Sequence, residues 1–150
     1  MRRFLALSGL ILSLAFIGCG PSGHLSGLHP CEGTVTYNGS PVAEAVLTFH
    51  PDASGGARSA SAITDTSGKF KVTTLKPEDG IGPGNYKVTI IKFEEYGDLP
   101  PKVMDDYGDM VQPVRPQKNV LPKKYENPAT SGLTVTIDKG KKTENFELVD

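Results

Sequence analysis

Apolar and polar residues alternate in several short runs after residue 30, and this pattern predicts β-strands. In one run, Tyr86, Val88 and Ile90 fall on one side of an extended chain, while Lys87 and Thr89 fall on the other. Glycine, proline and asparagine separate such runs, so we expect an all-β fold, an antiparallel β-sandwich of about seven strands. The predicted strands are 33–37, 45–49, 58–64, 69–73, 85–91, 133–137 and 143–148.

Three turn signals connect these runs. Asn38 and Gly39 stand between alternating segments, which predicts a hairpin with a type I′ turn. Asp65 can accept backbone N–H bonds and Gly68 can adopt a positive φ, so these residues predict a tight turn. Residues 138–141 form the third signal, from which we expect the last two strands to pair as a final hairpin.

Residues 93–122 interrupt the rhythm, because no apolar periodicity runs through them. The segment contains four prolines before its end, three clustered acids and two tyrosines, with a possible short helical turn at 103–110. Long irregular segments in compact domains are often functional. We therefore predict that most of it lies outside the core and that it is an interaction loop. The candidate residues of this loop are Tyr96, Asp105, Asp106, Tyr107 and Asp109.

The first 18 residues have the pattern of a secretory signal peptide. Arg2 and Arg3 precede an apolar stretch over 4–17, which is short for a transmembrane helix. Cys19 directly follows Gly18, an arrangement that resembles the bacterial lipobox. We expect cleavage after residue 18 and acylation of Cys19. An ordinary cleaved signal and an uncleaved anchor remain the alternatives.

The predicted organisation is a signal peptide over 1–18, a lipidated flexible tether over 19–30 and one domain over 31–150. Residues 19–150 carry 14 Lys and Arg against 17 Asp and Glu, a net charge of −3. No basic patch is present, so we do not expect nucleic acid as a partner. With Cys19 acylated, Cys31 would be a lone thiol; without acylation, the two cysteines could form a disulfide.

Three segments resemble, in the same order, the motifs of carboxypeptidase regulatory-like domains, which are bacterial relatives of the transthyretin-like sandwich. The segments are GTVTYNGSPV at 33–42, TDTSGKF at 64–70 and PGNYKV at 83–88. The resemblance implies a transthyretin-like or immunoglobulin-like sandwich that serves as a non-catalytic surface module. LPKKY at 121–125 and SGLTV at 131–135 look like a subgroup of small exported lipoproteins with one such domain.

Candidate chemistry is sparse in the predicted domain. Hydroxyisourate hydrolases share the transthyretin-like fold, but they need clustered His and Arg and a Tyr-Arg-Gly-Ser terminus, whereas this chain ends FELVD. His50 is the one histidine of the predicted domain, with no nucleophile arranged beside it. The acids of the 93–122 loop supply about half of the oxygens that Ca²⁺ takes, so a solvated loop is favoured. We expect no enzyme activity, cofactor or metal.

These patterns predict a lipid-anchored cell-envelope module with a structural or protein-interaction role. Its expected partners are the membrane, through Cys19, and an envelope protein or polysaccharide. The alternative is a carbohydrate-binding accessory module that uses the 93–122 loop, because Tyr96 and Tyr107 could stack on sugar rings. We expect Tyr125 instead to cap the core.

Overall fold

The computed structural model describes residues 27–52, 57–104, 106–108, 110–111 and 113–150. The predicted signal peptide and Cys19 lie outside these residues. The described chain contains twelve strands and one 3₁₀ helix. In chain order these are β1 (Cys31–Tyr37), β2 (Ser40–Pro41), β3 (Val46–Pro51), β4 (Ala60–Ile63), β5 (Lys69–Lys71), β6 (Gly84–Ile91), β7 (Phe93–Glu95), β8 (Val103–Met104), β9 (Met110–Val111), β10 (Gln117–Asn119), the 3₁₀ helix (Lys123–Glu126), β11 (Leu133–Ile137) and β12 (Lys142–Leu148).

Eight strands form two sheets. In sheet I, β1 pairs with β12 on one side and with both β5 and β2 on the other. Sheet II has the order β11-β6-β3-β4 and is antiparallel throughout. The predicted all-β sandwich is therefore confirmed, with eight strands where about seven were expected. One pair departs from the expected antiparallel pattern, because β1 and β12 run parallel over seven residue pairs.

The core lies between the two sheets and is built from the inward side chains of alternating strand positions. Phe49 of sheet II meets Phe70 of sheet I with ring centroids 6.3 Å apart, and Phe70 stacks on Phe146 at 5.9 Å. Tyr86 packs edge-on against Phe49 at 6.5 Å. Fully enclosed aliphatic side chains surround these rings: Val35, Leu47, Val88, Ile90, Ile137 and Leu148.

Two predicted turns are confirmed. Asn38 and Gly39 have φ of 49° and 79° and connect β1 to β2, as a type I′ turn requires. Asp65 Oδ1 accepts the backbone N–H groups of Ser67 at 2.8 Å and Lys69 at 2.9 Å. The Ser67 hydroxyl also donates to this oxygen, and together these bonds hold the Asp65 pKa below its ordinary value.

The predicted final hairpin is wrong. β11 pairs with β6 in sheet II, whereas β12 crosses to sheet I and pairs with β1. The turn at 138–141 is present, but it arches from one sheet to the other. The crossing covers an edge of β1 that a hairpin would leave unpaired, and it brings Phe146 and Leu148 into the core.

Gly33 lets β1 and β12 approach closely. A Cβ atom built on Gly33 would lie 1.6 Å from the Glu144 carbonyl oxygen and 3.0 Å from the Phe70 ring. No side chain fits that space without separating the strands. The glycine is therefore a requirement of the parallel pair.

Two further residues fix the ends of the sandwich. Tyr125, which is buried as predicted, accepts the Val149 N–H and donates to the Val149 carbonyl, both at 3.0 Å. His29 exchanges two backbone hydrogen bonds with Ile81 at 2.8 and 2.9 Å, so the chain contacts the sandwich before β1 begins. His50 is therefore not the one histidine of the folded part.

Candidate interaction arm

The segment after β6 is a projecting two-stranded ribbon. β6 continues through Lys92 into β7, and β10 returns antiparallel to β7, with Phe93 opposite Asn119 and Glu95 opposite Gln117. The Tyr96 N–H donates to the Pro116 carbonyl at 2.9 Å, which extends the ribbon by one step. We call residues 93–119 the arm.

A second short ribbon lies at the far end of the arm. Val103 pairs with Val111 and Met104 pairs with Met110, as β8 and β9 run antiparallel. We call residues 103–111 the tip. The short helical turn predicted at 103–110 is therefore wrong, because these residues form a hairpin.

The arm carries most of the exposed large apolar side chains of the described chain. Nine of the thirteen well-exposed large apolar side chains belong to it, although it contributes little to the core. Most monomeric proteins keep contiguous exposed apolar patches small, and larger ones mark interaction sites. The nine are Phe93, Tyr96, Leu99, Val103, Met104, Tyr107, Met110, Val111 and Val114. The prediction that most of the 93–122 segment lies outside the core is confirmed for the described residues, although Leu121 near its end is buried in the core.

Charged residues and prolines occupy the rest of the arm. Glu94 lies opposite Lys118 across the ribbon and forms an ion pair of 2.8 Å with Lys92. The arm has prolines at 100, 101, 113 and 116, and each lacks the N–H group that strand pairing requires. By sequence the arm holds six acids and three bases, a net charge of −3.

The structure separates the predicted site residues. Tyr96 follows β7 near the base of the arm, whereas Asp106 and Tyr107 lie in the turn of the tip. Tyr107 is 93% exposed. Asp105 and Asp109 lie outside the described residues. The three described candidates therefore lie on different parts of the arm, Tyr96 beside β7 and the other two in the turn between β8 and β9.

Sequence reasoning missed the apolar residues of the tip. The signal was present as KVM and MV on either side of a short segment that contains Gly108. Gly108 has a φ of 84°, which suits the turn between two strands. Two-residue strands are too short for an alternation pattern to reveal them, so the hairpin was not apparent.

The arm and the start of the domain lie at opposite ends of β6. His29 bridges to Ile81, three residues before β6 begins at Gly84, whereas the arm follows Ile91 at the other end. β6 has eight residues and, at about 3.3 Å for each, spans about 26 Å. The chain therefore reaches the sandwich at one end and projects the arm from the other.

The outer face of sheet I forms a separate cavity of about 550 Å³, and eight of its eleven lining residues are polar or charged. Lys71 is paired with Glu78 at 2.7 Å, and Glu32 is paired with Lys141 at 2.6 Å. Asn145 Oδ1 accepts the Thr34 hydroxyl at 2.8 Å. Most of the polar groups of this face thus satisfy one another.

His50 and Cys31, the remaining candidate chemical groups, lie on different strands of the sandwich. His50 Nε2 lies 3.1 Å from the Thr89 hydroxyl. Cys31 is buried, and burial, followed by the charge of Glu144, raises the pKa of its thiol to about 11. Over the described ranges, no three His, Cys, Asp or Glu side chains come together as a metal site. A helix of sufficient length and apolarity to span a membrane is also not found among the residues described.

Comparisons with known proteins give distant likenesses in structure. No family model and no curated protein matches the chain. A DUF3823 family protein from Parabacteroides merdae is 16% identical with a TM-score of 0.39, over 81% of this chain and 46% of that chain. A 9R-lipoxygenase from Cyanothece is 12% identical with a TM-score of 0.41, over 86% and 17%. The chain thus spans less than half of either, and likenesses this distant assign neither family nor function.

Proposed function

We propose that this protein is a lipid-anchored, non-enzymatic β-sandwich module of the cell envelope that binds another protein through its arm. The observation that carries the proposal is the concentration of exposed apolar side chains on the arm. An isolated two-stranded hairpin is marginally stable in water. A partner that covers the exposed valine and methionine side chains would therefore stabilise the hairpin as well as bury its apolar surface. Methionine and tyrosine are also enriched at protein interfaces.

The sequence supports the anchoring and the absence of catalysis. The lipobox-like Gly18-Cys19 at the end of an apolar stretch supports acylation, and the resemblance to carboxypeptidase regulatory-like domains supports a non-catalytic role. Changing Cys19→Ser should release the protein from the membrane fraction. A variant that stays in the membrane fraction and is processed normally would contradict the anchoring.

The interaction role is tested by chemical cross-linking of the full chain in the cells that produce it. We expect Met104→Ser with Met110→Ser to abolish adducts with other proteins. The control is Ile63→Ser with Leu75→Ser, because these side chains on the sandwich are 66% and 53% exposed, close to 68% and 55% for the methionines. Adducts lost equally in both variants would show that the arm is not the interaction element.

A second candidate function is binding of a polysaccharide by the same arm. It is favoured by the exposure of Tyr96 and Tyr107, since aromatic rings can stack on sugar rings. Affinity electrophoresis against envelope polysaccharides separates the two functions. Retardation that disappears with Tyr107→Ala, but persists with Met104→Ser, would favour the polysaccharide.

A further inference from the structure

We propose that the tip is a two-faced knob that inserts into a cleft of a different protein, a cleft with apolar walls and a basic floor. The inference rests on the proposed function, because it takes the arm as the interaction element and specifies the chemistry of its partner.

The two faces of the tip are both apolar. Residues paired directly across a ribbon share a face, and successive residues along a strand point to opposite faces. Val103 and Val111 therefore form one face, while Met104 and Met110 form the other. All four are exposed. A flat partner surface would cover one face and leave the other in water, whereas a cleft covers both.

The end of the knob is acidic. Asp106 lies exposed in the turn of the tip, and by sequence residues 103–111 hold three acids and no base. The end of the knob therefore presents a carboxylate beside the Tyr107 ring, and inside a cleft the carboxylate needs a positively charged group to replace the water it loses. Lysine or arginine at the floor of the cleft provides that complement.

A second copy of this chain does not fit this description. Outside the arm, residues 19–150 carry 11 bases and 11 acids, so the sandwich has no excess of positive charge. The cavity on the outer face of sheet I is lined by Lys69 and Lys71, but Glu32, Asp65 and Glu78 also line it. Contact between two arms would bring two net charges of −3 together. The charge distribution thus favours a different protein.

A membrane also fits poorly. Anionic lipid surfaces attract basic segments, whereas this tip is acidic. In addition, the arm projects from the end of β6 opposite the end where His29 joins the sandwich. A chain anchored through its N-terminus therefore directs the tip away from the anchor. The prolines of the arm further oppose strand addition along its middle, so recognition depends on side chains.

The test places a photo-cross-linking amino acid in the full chain, in the cells that produce it, at position 103 for one face or 104 for the other. Position 75 on the sandwich is the control. We expect positions 103 and 104 to give adducts with the same protein, on opposite walls of one cleft, and position 75 to give none. An adduct alone does not decide the matter, so the captured protein is then purified and its affinity for the full chain is measured.

We expect Asp106→Lys to weaken that affinity at least about tenfold, and added salt to weaken it similarly. The matched control is Asp138→Lys, an exposed acid in the turn between β11 and β12, which should change the affinity less than about twofold. Vesicles of phosphatidylethanolamine and phosphatidylglycerol should not retain the protein through the tip.

Several results would overturn the inference while leaving the proposed function intact. These are an adduct from one face alone, an adduct with a second copy, or an affinity that Asp106→Lys and salt do not change. An adduct with phospholipid would identify a membrane as the occupant and refute a protein cleft. If positions 103 and 104 give no adduct at all, both the inference and the protein-interaction role fail.

Discussion

The sandwich and the arm are built from similar residue types with opposite outcomes. In the sandwich, valine, leucine and phenylalanine are enclosed between two sheets, and acids balance bases. In the arm, valine, methionine and tyrosine remain in water, and the segment holds the whole net charge of residues 19–150. The difference lies in layering, because a strand buries its apolar side chains only when a second sheet covers them. The described residues of the arm form two short ribbons, and no second sheet covers their apolar side chains.

The strongest test of this comparison is Gly33→Ala in the sandwich. The added methyl group would collide with the Glu144 carbonyl and force β12 away from β1. We expect the free energy of unfolding to fall by more than about 4 kcal/mol, measured by urea denaturation. Gly82→Ala is the control, since its Cβ would meet Tyr86 at an ordinary 3.6 Å and should cost under about 1 kcal/mol. Equal losses would show that β1 and β12 tolerate separation.

The next test compares apolar truncations in the two regions. Leu47 is completely buried, and Leu47→Ala should lower the free energy of unfolding by about 3 kcal/mol because it leaves a cavity. Met104 is 68% exposed, so Met104→Ala should change it by less than about 0.5 kcal/mol. If Met104→Ala destabilised the protein as strongly as Leu47→Ala, the apolar side chains of the arm would contribute to folding as those of the sandwich do, contrary to this comparison.

A smaller effect is expected from the tyrosine hydroxyls. Tyr125→Phe removes both hydrogen bonds to Val149 and should cost about 1–2 kcal/mol, with faster amide exchange at the C-terminus. Tyr96→Phe in the arm should leave stability unchanged within about 0.5 kcal/mol. Unaltered exchange at residues 148–150 in Tyr125→Phe would show that the hydroxyl does not hold the end of the chain.

The smallest effect on folding should follow removal of the arm itself. Glu95 and Gln117 are already paired, so an Asn-Gly turn can replace residues 96–116. Because the cost of loop closure depends weakly on length, stability should change by less than about 1 kcal/mol. Circular dichroism should keep its strand signal. Unfolding of this variant would mean that the arm packs as part of the sandwich.

Local pattern accounted for most strands and turns. Alternation identified β6 and its inward side chains, and the chemistry of Asp65 identified its turn, because these signals act within a few residues. The pairing of β12 with β1 could not be read from the sequence. A turn such as 138–141 shows that the chain reverses, but the sheet that receives the next strand depends on edges far away in sequence.

The candidate site was located more coarsely than the fold. The lack of periodicity over 93–122 separated this segment from the core, and Tyr96 and Tyr107 are exposed there. Val103, Met104, Met110 and Val111 were overlooked because apolar residues are normally assigned to a core. Their proposed role rests on their exposure on both sides of a ribbon, which only the three-dimensional structure shows.

The parallel pair of β1 and β12 has a consequence for how the chain reaches its native state. Thr34 and its hydrogen-bond partner Asn145 are 111 residues apart in sequence, so the first strand of the domain can pair only after the last strand is available. Contacts this remote in sequence slow folding. A chain that leaves a ribosome N-terminus first therefore cannot complete its first strand pair until the final residues emerge. A truncation at the C-terminus would for the same reason also leave the N-terminal strand without its partner.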